Sequence, residues 1–138
     1  MRKLSDWLQT YQTFMFNTEP AAVFDKWTAY YVIASALRKK ISLSLGRIKI
    51  YPNVYIVFVA EPGRARKSQA ISYGIDFMTN IPDIITSADA ITKEAMLQDL
   101  ENCSCDELMA DGSVFKHSSL NITSKEFGIV CCIASHNI

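Results

Sequence analysis

The chain has no apolar run approaching the ~20 residues that a membrane-spanning helix requires. Its opening residues, Met1-Arg2-Lys3-Leu4-Ser5-Asp6-Trp7, contain no signal-peptide core. Together these absences set a soluble, cytoplasmic protein without a membrane partner as the default expectation. No internal repeat and no low-complexity segment occurs in the 138 residues, which excludes a repeat array and leaves one domain, or part of a larger one. Cysteine and histidine are few and badly spaced for metal. Cys103 and Cys105 are separated by one residue, Cys131 and Cys132 are adjacent, and His117 and His136 do not complete a zinc-ligand pattern. They read as free, mostly buried thiols of a reducing compartment. Neither a Cys/His/Asn pattern nor a Gly-x-Ser-x-Gly elbow is present, so those hydrolase chemistries have no support.

Net charge is also missing, since 14 basic residues balance 14 acidic ones. The balance hides an asymmetry. Residues 1–69 hold 11 basic and 4 acidic side chains, and residues 70–138 hold 3 basic and 10 acidic. The basic half includes Arg38, Lys39, Lys40, Arg47, Lys49 and a cluster near residue 65. Two readings stand: a surface facing nucleic acid or phosphate, or two halves that attract each other and otherwise form solvated faces.

What the chain does have is the stretch from Tyr55 to Ser68, YIVFVAEPGRARKS. A run of apolar residues with strand character enters a Pro-Gly loop that ends in Lys-Ser and opens a helical pattern. That order is how a P-loop is built. Backbone N–H groups wrap a phosphate at a helix N-terminus, a lysine reaches the β- and γ-phosphates, and a Ser or Thr hydroxyl ligates Mg²⁺. Lys67 and Ser68 fill the last two roles, and Gly63 supplies freedom for a tight loop. Counting back from Lys67, Arg66 and Glu61 occupy the two positions where the common pattern has glycine. Arg66 must therefore take its backbone shape with a Cβ present. Glu61 brings a carboxylate that Arg64 and Arg66 offset, and both arginines can contact phosphate oxygens. Ile71, Gly74, Ile75 and Met78 give the following segment helical spacing. The competing reading is a basic strand-to-helix turn of an ordinary α/β protein.

The rest of the chain is expected to follow from periodicity and punctuation. Leu4, Trp7, Leu8, Tyr11, Phe14 and Met15 form one helical stripe. Asn17 to Pro20 breaks it, with Thr18 or Glu19 near the cap of a second helix. That helix carries Val23, Phe24, Trp27, Tyr30, Tyr31, Ala34 and Leu37 as a core stripe, and Arg38 to Lys40 suit the negative end of its dipole. Alternation over 41–45 and 48–51 around Gly46-Arg47 predicts a hairpin. Asn80 to Pro82 is a linker, 83–87 a strand, and Thr92 the cap of a helix bearing Ala95, Met96 and Leu100. Residues 102–113 read as a loop. Val114–His117 and Leu120–Thr123 read as short strands, paired through Ser118-Ser119. Hydrolytic P-loop enzymes also need an acidic residue at another strand end to orient the attacking water. Glu126, following Leu120–Thr123, is the first candidate, with an exposed surface glutamate as the competing reading; Asp83 and Asp89 rank below it.

The string from Trp27 to Leu37, then Tyr51 to Val57, then Pro62-Gly63 to Arg66-Lys67-Ser68, resembles a family of phage and plasmid replication ATPases. These are primase-associated, helicase-like P-loop proteins with a RecA-type or AAA-type core. Ile91 to Ala95 and Ser124 to Phe127 look like later segments of that family, so the similarity covers roughly residues 7–130. The resemblance implies an α/β fold with a helical segment and hairpin over 1–50 and a partial P-loop ATPase core over 51–138. It implies ATP and Mg²⁺ as ligands, bound across Gly63, Arg64, Ala65, Arg66, Lys67 and Ser68. Lys67 would act on phosphate, Ser68 on the metal and Glu126 on water. It further implies DNA as partner, assembly as a homo-oligomer, and a core that continues beyond the segment seen here, which makes truncation the expectation. A non-catalytic nucleotide- or DNA-binding remnant is the alternative, and another P-loop motor, such as a DNA-packaging ATPase, a third.

Overall fold

The computed structural model describes residues 6–87, 92–108, 112–125 and 129–132. Helix α1, Trp7–Met15, begins where the Asp6 carboxylate accepts the Gln9 N–H at 3.1 Å, satisfying one of the free donors of the first turn. It buries Tyr11 and Met15, and leaves Phe14 exposed. Thr18 does not cap the second helix as expected. Its hydroxyl donates to the Met15 carbonyl at 2.7 Å, closing the end of α1. Helix α2, Ala22–Leu37, starts after Pro20 and Ala21 with no side-chain cap.

The face that α2 turns inward differs from the aromatic stripe. Phe24, Tyr31 and Ala34 are buried, but so are Asp25, Thr28, Ala29, Val32 and Ser35, while Val23, Trp27 and Tyr30 stay exposed. The reason is close helix packing. A Cβ placed on Gly74 of helix α3, Lys67–Thr79, would lie 2.6 Å from the Thr28 methyl. Only a small or branched residue at the contact allows α3 to approach so near, and Trp27 and Tyr30 fall on the exposed side. One core cluster joins Phe24, Tyr31 and Val32 of α2 to Ile56, Phe58 and Ile71 from beyond residue 51.

Strands β1, Leu43–Leu45, and β2, Ile48–Ile50, pair antiparallel with Leu45 opposite Ile48, so Gly46-Arg47 is the two-residue turn expected. Gly46 takes a φ of 60° there, and every residue of both strands is exposed. Strand β3, Tyr55–Val57, leads to the loop before α3. Helix α4, Lys93–Asn102, begins at Thr92, whose hydroxyl accepts the Ala95 N–H at 3.2 Å, and it buries Leu100.

Two expectations about strands change. The stretch read as a loop contains strand β4, Ser104–Leu108, which pairs antiparallel along its length with β5, Val114–Ser118. Leu120–Thr123 therefore does not pair with β5. Instead Asn121 makes a parallel bridge to Thr86, with the Ser87 N–H donating to the Asn121 carbonyl at 2.8 Å and the Asn121 N–H to Ile85 at 3.0 Å. That bridge is what forms of the strand expected over 83–87. Strand β6, Ile129–Cys132, pairs antiparallel with β3. The architecture is mixed α/β, and among the described residues its sheets are three antiparallel pairs. No described helix is long and apolar enough to cross a membrane.

Candidate functional site

Between β3 and α3 the chain turns at Pro62-Gly63-Arg64. Gly63 has a φ of 77°, a conformation that a side chain would strain. Arg66 is the N-cap of α3 and is left-handed, with φ 48° and ψ 40°. For a residue with a Cβ this costs about 1–2 kcal/mol. Arg66 thus holds, with a Cβ present, a backbone shape that glycine adopts freely. No side chain caps the start of α3, so its first N–H groups remain directed out of the helix end.

Lys67, the first residue of α3, is half-buried, and its Nζ donates to the Ala60 carbonyl at 2.7 Å. The side chain therefore spans the loop from the helix start back to Ala60, three residues past the end of β3. An ammonium carries three donors, and Ala60 takes one of them. Beside it opens a hollow of about 440 Å³, bordered by Glu61, Gly63, Arg66, Lys67, Ser68 and Lys125. Three cations there face one carboxylate. Arg66 Nε also holds Glu19 at 3.0 Å, and Arg64 holds Glu61 at 3.2 Å, with all four side chains more than half exposed. Ion pairs so exposed contribute little and exchange readily.

The structure thus gathers Gly63, Arg66, Lys67 and Ser68 on one hollow. Arg64 and Ala65 do not line it; Ala65 uses its carbonyl to accept the Ala21 N–H at 3.5 Å. Glu126 and Asp89 lie outside the described residues, although Lys125, the neighbour of Glu126, reaches the hollow's rim. Asp83 stands elsewhere, left-handed with a φ of 67°.

A second set of polar residues was not anticipated. Arg38, at the end of α2, has a φ of 48° and directs its guanidinium to Glu107 Oε1 at 3.0 Å and to the Asp83 carbonyl at 3.5 Å. Lys40 approaches the same Glu107 oxygen at 3.6 Å. Lys39 is buried, its ammonium 5.3 Å from the Tyr51 ring centre and 5.6 Å from that of Phe115. Burial draws its pKa below the ordinary lysine range. Next to Arg38, Cys105 faces His117 across the β4–β5 register. The basic run that suggested a nucleic-acid surface is therefore engaged with the acidic half. Sequence reasoning missed this corner because β4 presents Cys105 and Glu107 inward, and neither gives an apolar alternation to read.

No protein-family model, no curated protein and no solved structure matches this chain.

Proposed function

We propose that the chain binds a nucleoside triphosphate, ATP with Mg²⁺, at the loop Gly63–Ser68. The observation that carries this reading is Lys67. Its side chain starts a 13-residue helix on the border of the hollow of about 440 Å³ and folds back along the loop to Ala60. The helix start adds a partial positive charge and N–H donors. Lys125 and Arg66 add formal charge on the rim. A triphosphate would exchange the Ala60 contact of Lys67 and the exposed carboxylate contacts of Arg66 for stronger charge-assisted bonds. Ser68, second in α3 and on the same hollow, is the residue to hold Mg²⁺ together with phosphate oxygens.

The finer reading extends from this loop and from the resemblance of its flanking segments. It is a helicase-like ATPase of phage or plasmid DNA replication, acting on DNA as a homo-oligomer within a RecA- or AAA-like core. Glu126 would orient the attacking water. Two observations favour a second reading, a non-catalytic nucleotide- or DNA-binding module. Strand β3 pairs antiparallel with β6, and the only described carboxylate on the hollow is Glu61.

Calorimetric titration with ATP–Mg²⁺ tests the proposal. Saturable binding is expected, and Lys67→Ala should weaken it about 10- to 100-fold, the worth of a charge-assisted hydrogen bond. Absence of binding at millimolar ATP would discard the nucleotide reading and leave the loop as a structural turn. Binding without phosphate release, in the full chain with DNA present, would select the second reading.

A further inference from the structure

Cys105, His117 and Ser119 form a chain of contacts independent of the phosphate loop. Residues Cys105 and His117 are direct partners in the β4–β5 ladder. The Cys105 Sγ lies 3.6 Å from His117 Nε2 and 3.8 Å from Nδ1. Ser119 Oγ lies closer still to one ring nitrogen, 3.1 Å from Nδ1. When Nδ1 carries the proton and donates to Ser119, Nε2, slightly the nearer nitrogen to the sulfur, is the unprotonated one. His117 is 2% exposed and Ser119 7% exposed, so water does not compete for the ring. Cys105 itself is only partly buried and borders a hollow of about 320 Å³, together with Arg38, Cys103, Glu107 and Ser119. Two left-handed residues without glycine's freedom, Arg38 and Asp83, frame that hollow and are bonded to each other. Strain of this kind concentrates at functional sites.

We propose that Cys105 is a nucleophilic thiol that exchanges with small disulfides, with His117 as its general base and Ser119 as the residue that positions the imidazole. In the step, the Cys105 sulfur attacks one sulfur of the disulfide as its proton passes to His117 Nε2. A new S–S bond forms on Cys105, the old S–S bond breaks, and the departing thiolate takes the proton back from His117. No further oxidant is needed, because the small disulfide is itself reduced. Nucleophile, base and a third group orienting the base are the arrangement such chemistry uses. Disulfide exchange demands only a thiolate and a proton acceptor. The hollow has room for the incoming thiol half.

The electrostatics agree with a base that acts during attack. Burial holds the His117 pKa below the usual imidazole range, with Glu107 pulling upward and Lys39, Arg38 and Lys40 pushing down. The ring is therefore neutral near pH 7 and able to accept a proton. Burial raises the Cys105 thiol, as do Glu107 and Asp106, against Arg38 and Lys40. Cys105 therefore rests as a thiol and depends on His117 for its reactivity.

Reaction with dithiodipyridine, read by thiopyridone release and mapped by peptide mass spectrometry, tests this. Cys105 should be the first of the four cysteines modified, and Cys105→Ser should lose the fast phase. His117→Gln should slow that phase at pH 7 by about a hundredfold or more, the lower end of the range for general-base catalysis. The pH profile separates a base from a structural partner. The wild-type rate should change little over about pH 7–8, whereas the His117→Gln rate should climb about tenfold per pH unit as the thiol ionises unaided. Ser119→Ala, whose smaller change spares the fold, should slow the reaction several-fold without altering the site modified. A Cys105 that stays unmodified in the native protein overturns the proposal. So does a folded His117→Gln or Ser119→Ala protein with the wild-type rate and profile.

Discussion

Two clusters of three cations, Arg38-Lys39-Lys40 and Arg64-Arg66-Lys67, look alike in sequence and differ in what the fold does with them. In the first, Glu107 sits between Arg38 and Lys40, with the Arg38 side chain 13% exposed, and Lys39 lies over two aromatic rings. In the second, the arginine pairs lie in solvent and Lys67 spans an open hollow. Charge taken out of water must be compensated permanently, whereas charge left at a helix start stays available to a ligand. Cations alone therefore do not mark a binding site. What distinguishes the two is the cost of removing the partner carboxylate.

Removing that partner is the strongest way to break the comparison. Glu107→Ala leaves Arg38 largely buried without its ion partner and should cost about 2–4 kcal/mol, slightly under the figure for fully buried pairs because some solvent remains. Glu61→Ala removes an exposed partner and should leave stability within about 0.5 kcal/mol. By removing a carboxylate from the hollow, it should also tighten phosphate binding. Urea denaturation of both variants measures the contrast. Equal costs would mean that both clusters are structural.

Asp25 sharpens the same contrast, being a buried carboxylate that lacks what Glu107 has. It is 4% exposed, and its Oδ1 has no hydrogen-bond partner among the described residues. Burial raises its pKa from 3.8 to about 6. A raised carboxyl pKa means that the folded state holds the proton more tightly than the unfolded chain. Its contribution is full below about pH 4, declines as the pH climbs through 6, and leaves a penalty above that. Asp25→Asn, which never ionises, should therefore stabilise the protein by about 1–3 kcal/mol at pH 8 and change little at pH 4. Thermal unfolding at both pH values provides the check, and a gain of equal size at each would put the effect in packing.

How much of this was legible depended on whether the signal was local. The hairpin turn at Gly46-Arg47, the Thr92 cap and the strand–loop–helix order around Lys67 are written in adjacent residues, and all three form. The inward face of α2 could not be read, because Trp27 and Tyr30 are the more hydrophobic choice. It is the close approach of Gly74 to Thr28, set by tertiary packing, that turns Asp25, Thr28 and Ser35 inside. Strand β4 escaped for a related reason. Its inward residues are Cys105, whose partners Arg38 and His117 lie 67 and 12 positions away, and Glu107, 69 positions from Arg38. At the loop, residue types pointed to Lys67 and Ser68, and the glycine position held by Arg66 pointed to the left-handed backbone found there.

Arg66→Gly has the smallest expected effect and asks whether the strain at the loop serves a ligand. Glycine relieves a left-handed conformation worth about 1–2 kcal/mol. Against this stand glycine's greater freedom in the unfolded chain, about 0.5–1 kcal/mol, and the exposed Glu19 pair, about 0–1 kcal/mol. At mid-range values the net change is a gain of about 0.3 kcal/mol, read as a small rise in unfolding temperature. Affinity should move the other way. Loss of a cation on the rim of the hollow should weaken pyrophosphate or ATP binding several-fold, with Lys67 still in place. Opposite signs in the two measurements would mean that the chain tolerates strain at Arg66 because its side chain acts on an anion. A gain in stability with unchanged affinity would make Arg66 a bystander and restrict the site to Gly63, Lys67 and Ser68.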